Sequence, residues 1–147
     1  MSEELIAPSP DVPVAAIGIA EVMPFVVAEA ECPLEGGTEA DFGTVKWRTL
    51  ICADKTPSTD MVAGVAEFGP LDTLEPHRHA PAEMYYGLSG SGTVTIDGVP
   101  HLIMPGVAVF IPPHAEHGTV AGDNGLRFLY VFPESRFSDV EYRFTPR

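Results

Sequence analysis

Four side chains constrain this chain more than anything else in it: His77, His79, Glu83 and His117. The segment reads His77-Arg78-His79, then Ala80-Pro81-Ala82, then Glu83, and the third histidine stands well downstream. Three imidazoles with one carboxylate suit a divalent transition metal. A β-strand sends alternate side chains to opposite faces, so His77 and His79 share a face while Arg78 points away. One strand cannot surround an ion, so His117 must arrive from another. A chain that gathers these four groups wraps strands around a common interior. Such a donor set leaves one or two coordination positions for water or substrate, the mark of a catalytic rather than a closed structural site. The remaining histidines, His101 and His114, read as surface residues, His101 beside a hairpin and His114 on a rim loop.

The rest of the chain supports strands. Fifteen prolines and fourteen glycines punctuate 147 residues too densely for long helices. Val45, Trp47, Thr49 and Ile51 alternate with Lys46 and Arg48, the period of a half-buried strand. Met61 to Phe68 is the next strand, and Leu74 to Leu88 carries the chemistry. Gly90-Ser91-Gly92 reads as a tight turn and Asp97-Gly98 as a hairpin turn between Thr93 to Ile96 and His101 to Met104. Val107 to Ile111, His117 to Val120, Leu126 to Phe132 and Val140 to Phe144 complete the strands. Met23 to Cys32 is apolar and β-compatible, and residues 134–139 form one helical turn at most. Short strands between frequent turns predict an all-β, single-domain antiparallel barrel or sandwich. The expected boundaries are an N-terminal arm with the first strands (1–42), the barrel (43–133) and a C-terminal strand and tail (134–147). Residues 1 to about 20 are rich in Pro and Ala and read as an arm that packs on the barrel or reaches a partner subunit.

Charge narrows the partners. Eight Lys and Arg stand against 21 Asp and Glu, a net charge of −13. Such a surface repels nucleic-acid phosphates and anionic membranes, so neither is expected as a partner. No apolar run is long enough to span a bilayer. The acidic start, Met1-Ser2-Glu3-Glu4, lacks the basic beginning of a secretory signal, so a cytoplasmic location is expected. Cys32 and Cys52 match no metal spacing and are expected as free, partly buried thiols.

Gly69, His77-Arg78-His79, Glu83 and Gly90 resemble the first motif of the cupins, and Gly98, Pro105-Gly106 and His117 resemble the second. Gly69 stands further from His77 than the family spacing, and position 121 is Ala where the family has Asn. Neither departure touches a ligand. The resemblance covers about residues 43 to 133. It implies an antiparallel cupin (jelly-roll) β-barrel, a divalent metal held by His77, His79, Glu83 and His117, and a homodimer. Iron(II) leads the metals, with Mn, Ni, Cu or Zn compatible with the same donors.

Tyr85 shares the parity of Glu83 and should hang beside the metal. A nearby dication favours a phenolate, which makes Tyr85 a candidate general base. A metal that also holds a substrate carboxylate suits proton abstraction α to that carboxylate and loss of a β leaving group. The Glu83-Met84-Tyr85-Tyr86 run and the tail from Leu126 to Phe144 resemble the small cupin-type dimethylsulfoniopropionate lyases. The resemblance implies a carbon–sulfur lyase acting on a small carboxylate substrate, with dimethyl sulfide and acrylate as products. A sulfonium cation calls for an aromatic cradle, and Trp47, Tyr86, Phe110, Phe128 and Tyr130 are the candidates. Two other readings use the same ligands: an iron(II) dioxygenase acting on a small acid or thiol, and a non-catalytic cupin that binds a small molecule. The scarcity of Lys and Arg argues against a sugar-phosphate substrate.

Overall fold

In the computed structural model, which describes residues 21–146, nine strands form one curled antiparallel sheet. They are β1 (Leu34–Gly36), β2 (Lys46–Ile51), β3 (Val62–Phe68), β4 (Thr73–Arg78), β5 (Glu83–Ile96), β6 (Val99–Ile103), β7 (Ala108–Ile111), β8 (His117–Phe132) and β9 (Arg143–Phe144). The helical content of the described residues is two short 3-10 turns, Glu29–Glu31 and Phe137–Asp139. The expected all-β architecture is therefore present. The expected arm, residues 1 to 20, lies outside the described residues.

The sheet runs β1-β2-β3-β8-β4-β9, and β5 pairs with β6, β7 and β8. The two long strands, β5 and β8, pair along most of their length with two shifts in register, at Gly87/Ser89 and Gly90/Gly92. Such bulges bend a strand without ending it, and the bend lets one sheet wrap an interior. Four sequence expectations change here. Gly90-Ser91-Gly92 is no turn but the bent middle of β5. Gly90 takes a φ of +68°, and a Cβ there would sit 2.1 Å from Gly125 O, so glycine admits a close crossing of β8. For the same reason His117 to Val120 and Leu126 to Phe132 are parts of one strand rather than two. Met23 to Cys32 carries no strand, and of Val140 to Phe144 the last two residues pair, with β4.

The interior shows the alternation that the sequence predicts. On β5, Glu83, Tyr85 and Gly87 are buried while Met84, Tyr86 and Leu88 face out. β3 is buried at all but one position, because β2 and β8 cover both its edges and its residues are small or apolar. Phe128 and Phe132, each 1% exposed, anchor the core and stabilise it by about 1.5–3 kcal/mol apiece. Both cysteines are buried and free.

Candidate metal centre

Among the described residues, four of the six buried polar or charged ones converge at one end of the interior: His77, His79, Glu83 and His117. The fold brings them together in two steps. His77 on β4 lies directly opposite His117 on β8, with ring centroids 4.2 Å apart. The β4 ladder stops at Arg78, and a bend over 80–81 carries the chain to Glu83, the first residue of β5. The ligand-capable nitrogens of the three histidines all lie within 4.8 Å of one another.

Each imidazole is held in one orientation by the backbone. His77 Nδ1 lies 2.7 Å from Glu75 O, His79 Nδ1 3.0 Å from Pro81 O, and His117 Nδ1 2.9 Å from Ala115 O. A carbonyl oxygen only accepts, so each Nδ1 carries the hydrogen and donates it. Each Nε2 is then left with its lone pair free. Pro81 thus does more than interrupt a ladder, since its carbonyl orients a histidine.

Two of the lone pairs, those of His79 and His117, face Glu83. Its Oε1 lies 3.2 Å from His79 Nε2 and 3.3 Å from His117 Nε2. His117 Nε2 is buried without a hydrogen-bond partner. Lone-pair nitrogens facing a carboxylate repel unless a proton or a cation lies between them. Backbone-fixed tautomers with Nε2 presented inward are the arrangement that metal-binding histidines use. The donor set and its geometry therefore fit a divalent transition metal.

Electrostatics around the cluster are strong. Burial, with His117 adding like charge, lowers the pKa of His77 to about 3. Burial also works against charge on His79, but Glu83 outweighs it and raises that pKa. Burial would raise the pKa of Glu83, yet the adjacent His117 and His79 hold it below the usual value. The phenol of Tyr85 is pushed well above its ordinary value by burial and then by the charge of Glu83.

A narrow cavity opens beside the cluster, lined by His77, Glu83 and Tyr85 and otherwise mostly by aromatic rings. Tyr85 is 1% exposed, stacks on Phe128 at 4.0 Å and lies 6.3 Å from the His117 ring, centroid to centroid. Trp47, Phe128 and Tyr130 line the cavity. Tyr86 and Phe110 do not: both face outward, and Phe110 is 66% exposed. Tyr86 follows Tyr85 by one residue, so the parity that turns Tyr85 inward turns Tyr86 out. Phe110 pairs with Met84 across β5 and β7, and its neighbours Val109 and Ile111 take the interior. His101 and His114 are exposed.

Three cavity residues escaped the sequence reading: Phe42, Phe137 and Tyr142. Tyr142 stacks on His77 at 5.1 Å and meets His79 edge-on at the same distance. Phe42 packs against Trp47 and Tyr142. All three lie outside the regular strands, where periodicity gives no inward or outward assignment. The clustering of aromatic residues in the tail was the available signal.

The cupin-domain family profile matches residues 64–132. Dimethylsulfoniopropionate lyase DddW from Ruegeria pomeroyi is 57% identical over 122 residues, covering 83% of this chain and 80% of that protein. Among solved structures, the polyketide cyclase RemF from Streptomyces resistomycificus superposes with a TM-score of 0.71 at 26% identity, over 85% of this chain and 87% of its own. A chain described with the DMSP lyases RdDddP and RnDddQII superposes with a TM-score of 0.61 at 20% identity, over 84% of this chain and 61% of its own. At that identity it supports the fold alone.

Proposed function

The chain belongs to the cupin-type dimethylsulfoniopropionate lyases, and from that premise we propose that it cleaves dimethylsulfoniopropionate to dimethyl sulfide and acrylate by β-elimination. The observation that carries this reading is the 57% identity to a lyase of that name over most of both chains. The buried site is compatible with the chemistry. His77, His79, Glu83 and His117 are the residues that would hold a divalent metal. Iron(II) is the first candidate, and Mn, Ni, Cu and Zn suit the same donors. When bound, the metal supplies positive charge that holds the substrate carboxylate and stabilises charge developing at the α carbon.

Tyr85 is the proposed general base. Its phenol stands in the cavity two residues from Glu83, on the same face. Burial and the Glu83 carboxylate oppose its ionisation, so its basicity depends on positive charge at the centre. The proton leaves the α carbon, its bonding pair becomes the double bond, and the carbon–sulfur pair departs on sulfur as neutral dimethyl sulfide. The rings of Trp47, Phe128, Phe137 and Tyr142 exclude water and offer π faces to the sulfonium cation.

The working unit in this reading is a homodimer. The outer face of β5, β6 and β7 supports it, since Met84, Tyr86, Leu102 and Phe110 are exposed there together. Apolar patches of this kind mark interaction surfaces.

The test is direct. Protein reconstituted separately with each metal releases dimethyl sulfide and acrylate from dimethylsulfoniopropionate, equally well without oxygen. Tyr85→Phe keeps its metal and loses about 10²-fold or more in kcat. Full activity of that variant removes the base assignment, and no product from the wild type with any metal removes the lyase reading.

A further inference from the structure

β-Elimination of a sulfonium carboxylate releases one proton per turnover. The base must shed that proton before it acts again. Much of the cavity wall consists of Phe42, Trp47, Phe128 and Phe137, whose rings accept no proton. A polar row nevertheless leaves the cavity at one register level. Tyr85 on β5 is the Cα partner of Tyr130 on β8, Tyr130 is the partner of Gly64 on β3, and Gly64 is the partner of Thr49 on β2.

Gly64 leaves room for the row to cross β3. A Cβ at that position would sit 2.2 Å from the Tyr130 hydroxyl oxygen and 2.4 Å from Cζ. The Tyr130 ring thus crosses β3 where no side chain blocks it. On the far side stands Thr49, the Cα partner of Gly64 on β2. Thr49 Oγ1 in turn donates to Glu35 Oε2 at 2.8 Å. Glu35 Oε1 is paired with Lys55 Nζ at 2.7 Å, and these two side chains are 33% and 43% exposed. The row therefore starts in the cavity and ends on a carboxylate that reaches water.

We propose that Tyr130, Thr49 and Glu35 form the route by which the released proton leaves the buried site. The inference rests on the lyase reading above. The Tyr130 oxygen accepts the cavity proton while its own hydrogen passes to Thr49 Oγ1. The Thr49 hydrogen passes to Glu35 Oε2, and Glu35 gives it to water. Rotation of the two hydroxyls then resets the row, so every proton taken up is released and no bond to carbon changes. The three residues act through the base rather than on the substrate, and are positioning residues. A hydrogen-bonded row of this kind needs each member, because removing one hydroxyl breaks the transfer.

The experiment is steady-state lyase kinetics in H₂O and D₂O on the metal-loaded enzyme and on Glu35→Gln, Thr49→Val and Thr49→Ser. Glu35→Gln and Thr49→Val are expected to lower kcat about tenfold, less than loss of a positioned base, with KM and metal content unchanged. Both should show a larger solvent isotope effect than the wild type. Millimolar imidazole should restore part of the lost rate, and Thr49→Ser, which keeps the hydroxyl, should stay near wild type. Wild-type kcat in both variants overturns the route, as does a loss that imidazole and solvent isotope leave unmoved. Should the Val and Gln variants fail to fold, the wild type decides: a kcat insensitive to both D₂O and buffer concentration overturns the proposal. A wild type that yields no product overturns the lyase reading itself, a result distinct from active protein with indifferent variants.

Discussion

Glu83 is the residue on which the centre turns. Its carboxylate faces two imidazole nitrogens whose hydrogens are committed elsewhere, and it sets the charge that Tyr85 meets. Without metal, this arrangement makes the fold sensitive to acid. His77 has a folded pKa of about 3 against 6.5 for the ordinary side chain, so between those values the unfolded chain binds more protons and stability falls as pH falls. The lowered pKa of Glu83 acts in the same direction below about pH 4.5, since its contribution is present above its unfolded value and lost in acid. The raised pKa of His79 opposes them, contributing below pH 6.5 and fading as pH rises through its folded value. Where the His77 contribution leads, chelated protein unfolds at lower urea at pH 4.5 than at pH 7. An unchanged midpoint between the two would contradict the buried neutral state of His77. Any one of His77, His79, Glu83 or His117 changed to Ala is expected to lower bound metal, measured by elemental analysis.

At the scale of elements, the segment after β8 closes the cavity. It is pinned at one end around Asp54: Arg136 Nη1 and Ser138 Oγ donate to Asp54 Oδ1 at 3.0 and 3.1 Å, and Ala53 N donates to Ser135 O at 2.7 Å. At the other end Thr145 Oγ1 donates to Glu116 Oε2 at 2.7 Å, and Thr145 N to Pro76 O at 3.0 Å. Between the pins, Phe137 and Tyr142 enter the cavity. Asp54→Ala is therefore expected to cost about 1–2 kcal/mol, since it removes partly exposed, charge-assisted hydrogen bonds, and to raise KM more than it lowers kcat. Calorimetry and substrate saturation curves check the two effects separately. If KM is unchanged, the segment does not shape the substrate site.

For the whole molecule, a net charge of −13 opposes association of copies except through apolar surface, and the outer face around Phe110 exposes Met84, Tyr86 and Leu102 beside it. Phe110→Asp is expected to convert a dimer to a monomer in light scattering, while a wild type already monomeric would remove the interface. The shared faces of His77 with His79 and of Glu83 with Tyr85 were legible in the sequence because strand parity is local: His77 and His79 alternate around Arg78, and Tyr85 follows Glu83 by two. The same parity rule, carried one residue further, places Tyr86 outside. The barrel itself was legible in its turns and alternation. What no local rule reaches is the meeting of distant segments. Tyr142 lies against His77 because the tail folds back over the barrel mouth, and the Tyr130 ring crosses β3 because Gly64, far away in sequence, has no side chain. By itself the sequence determined which residues could bind a cation and that strands would carry them. The tertiary structure alone decided what surrounds that cation, because cavity walls are set by packing between segments remote in the chain, and packing has no period to read.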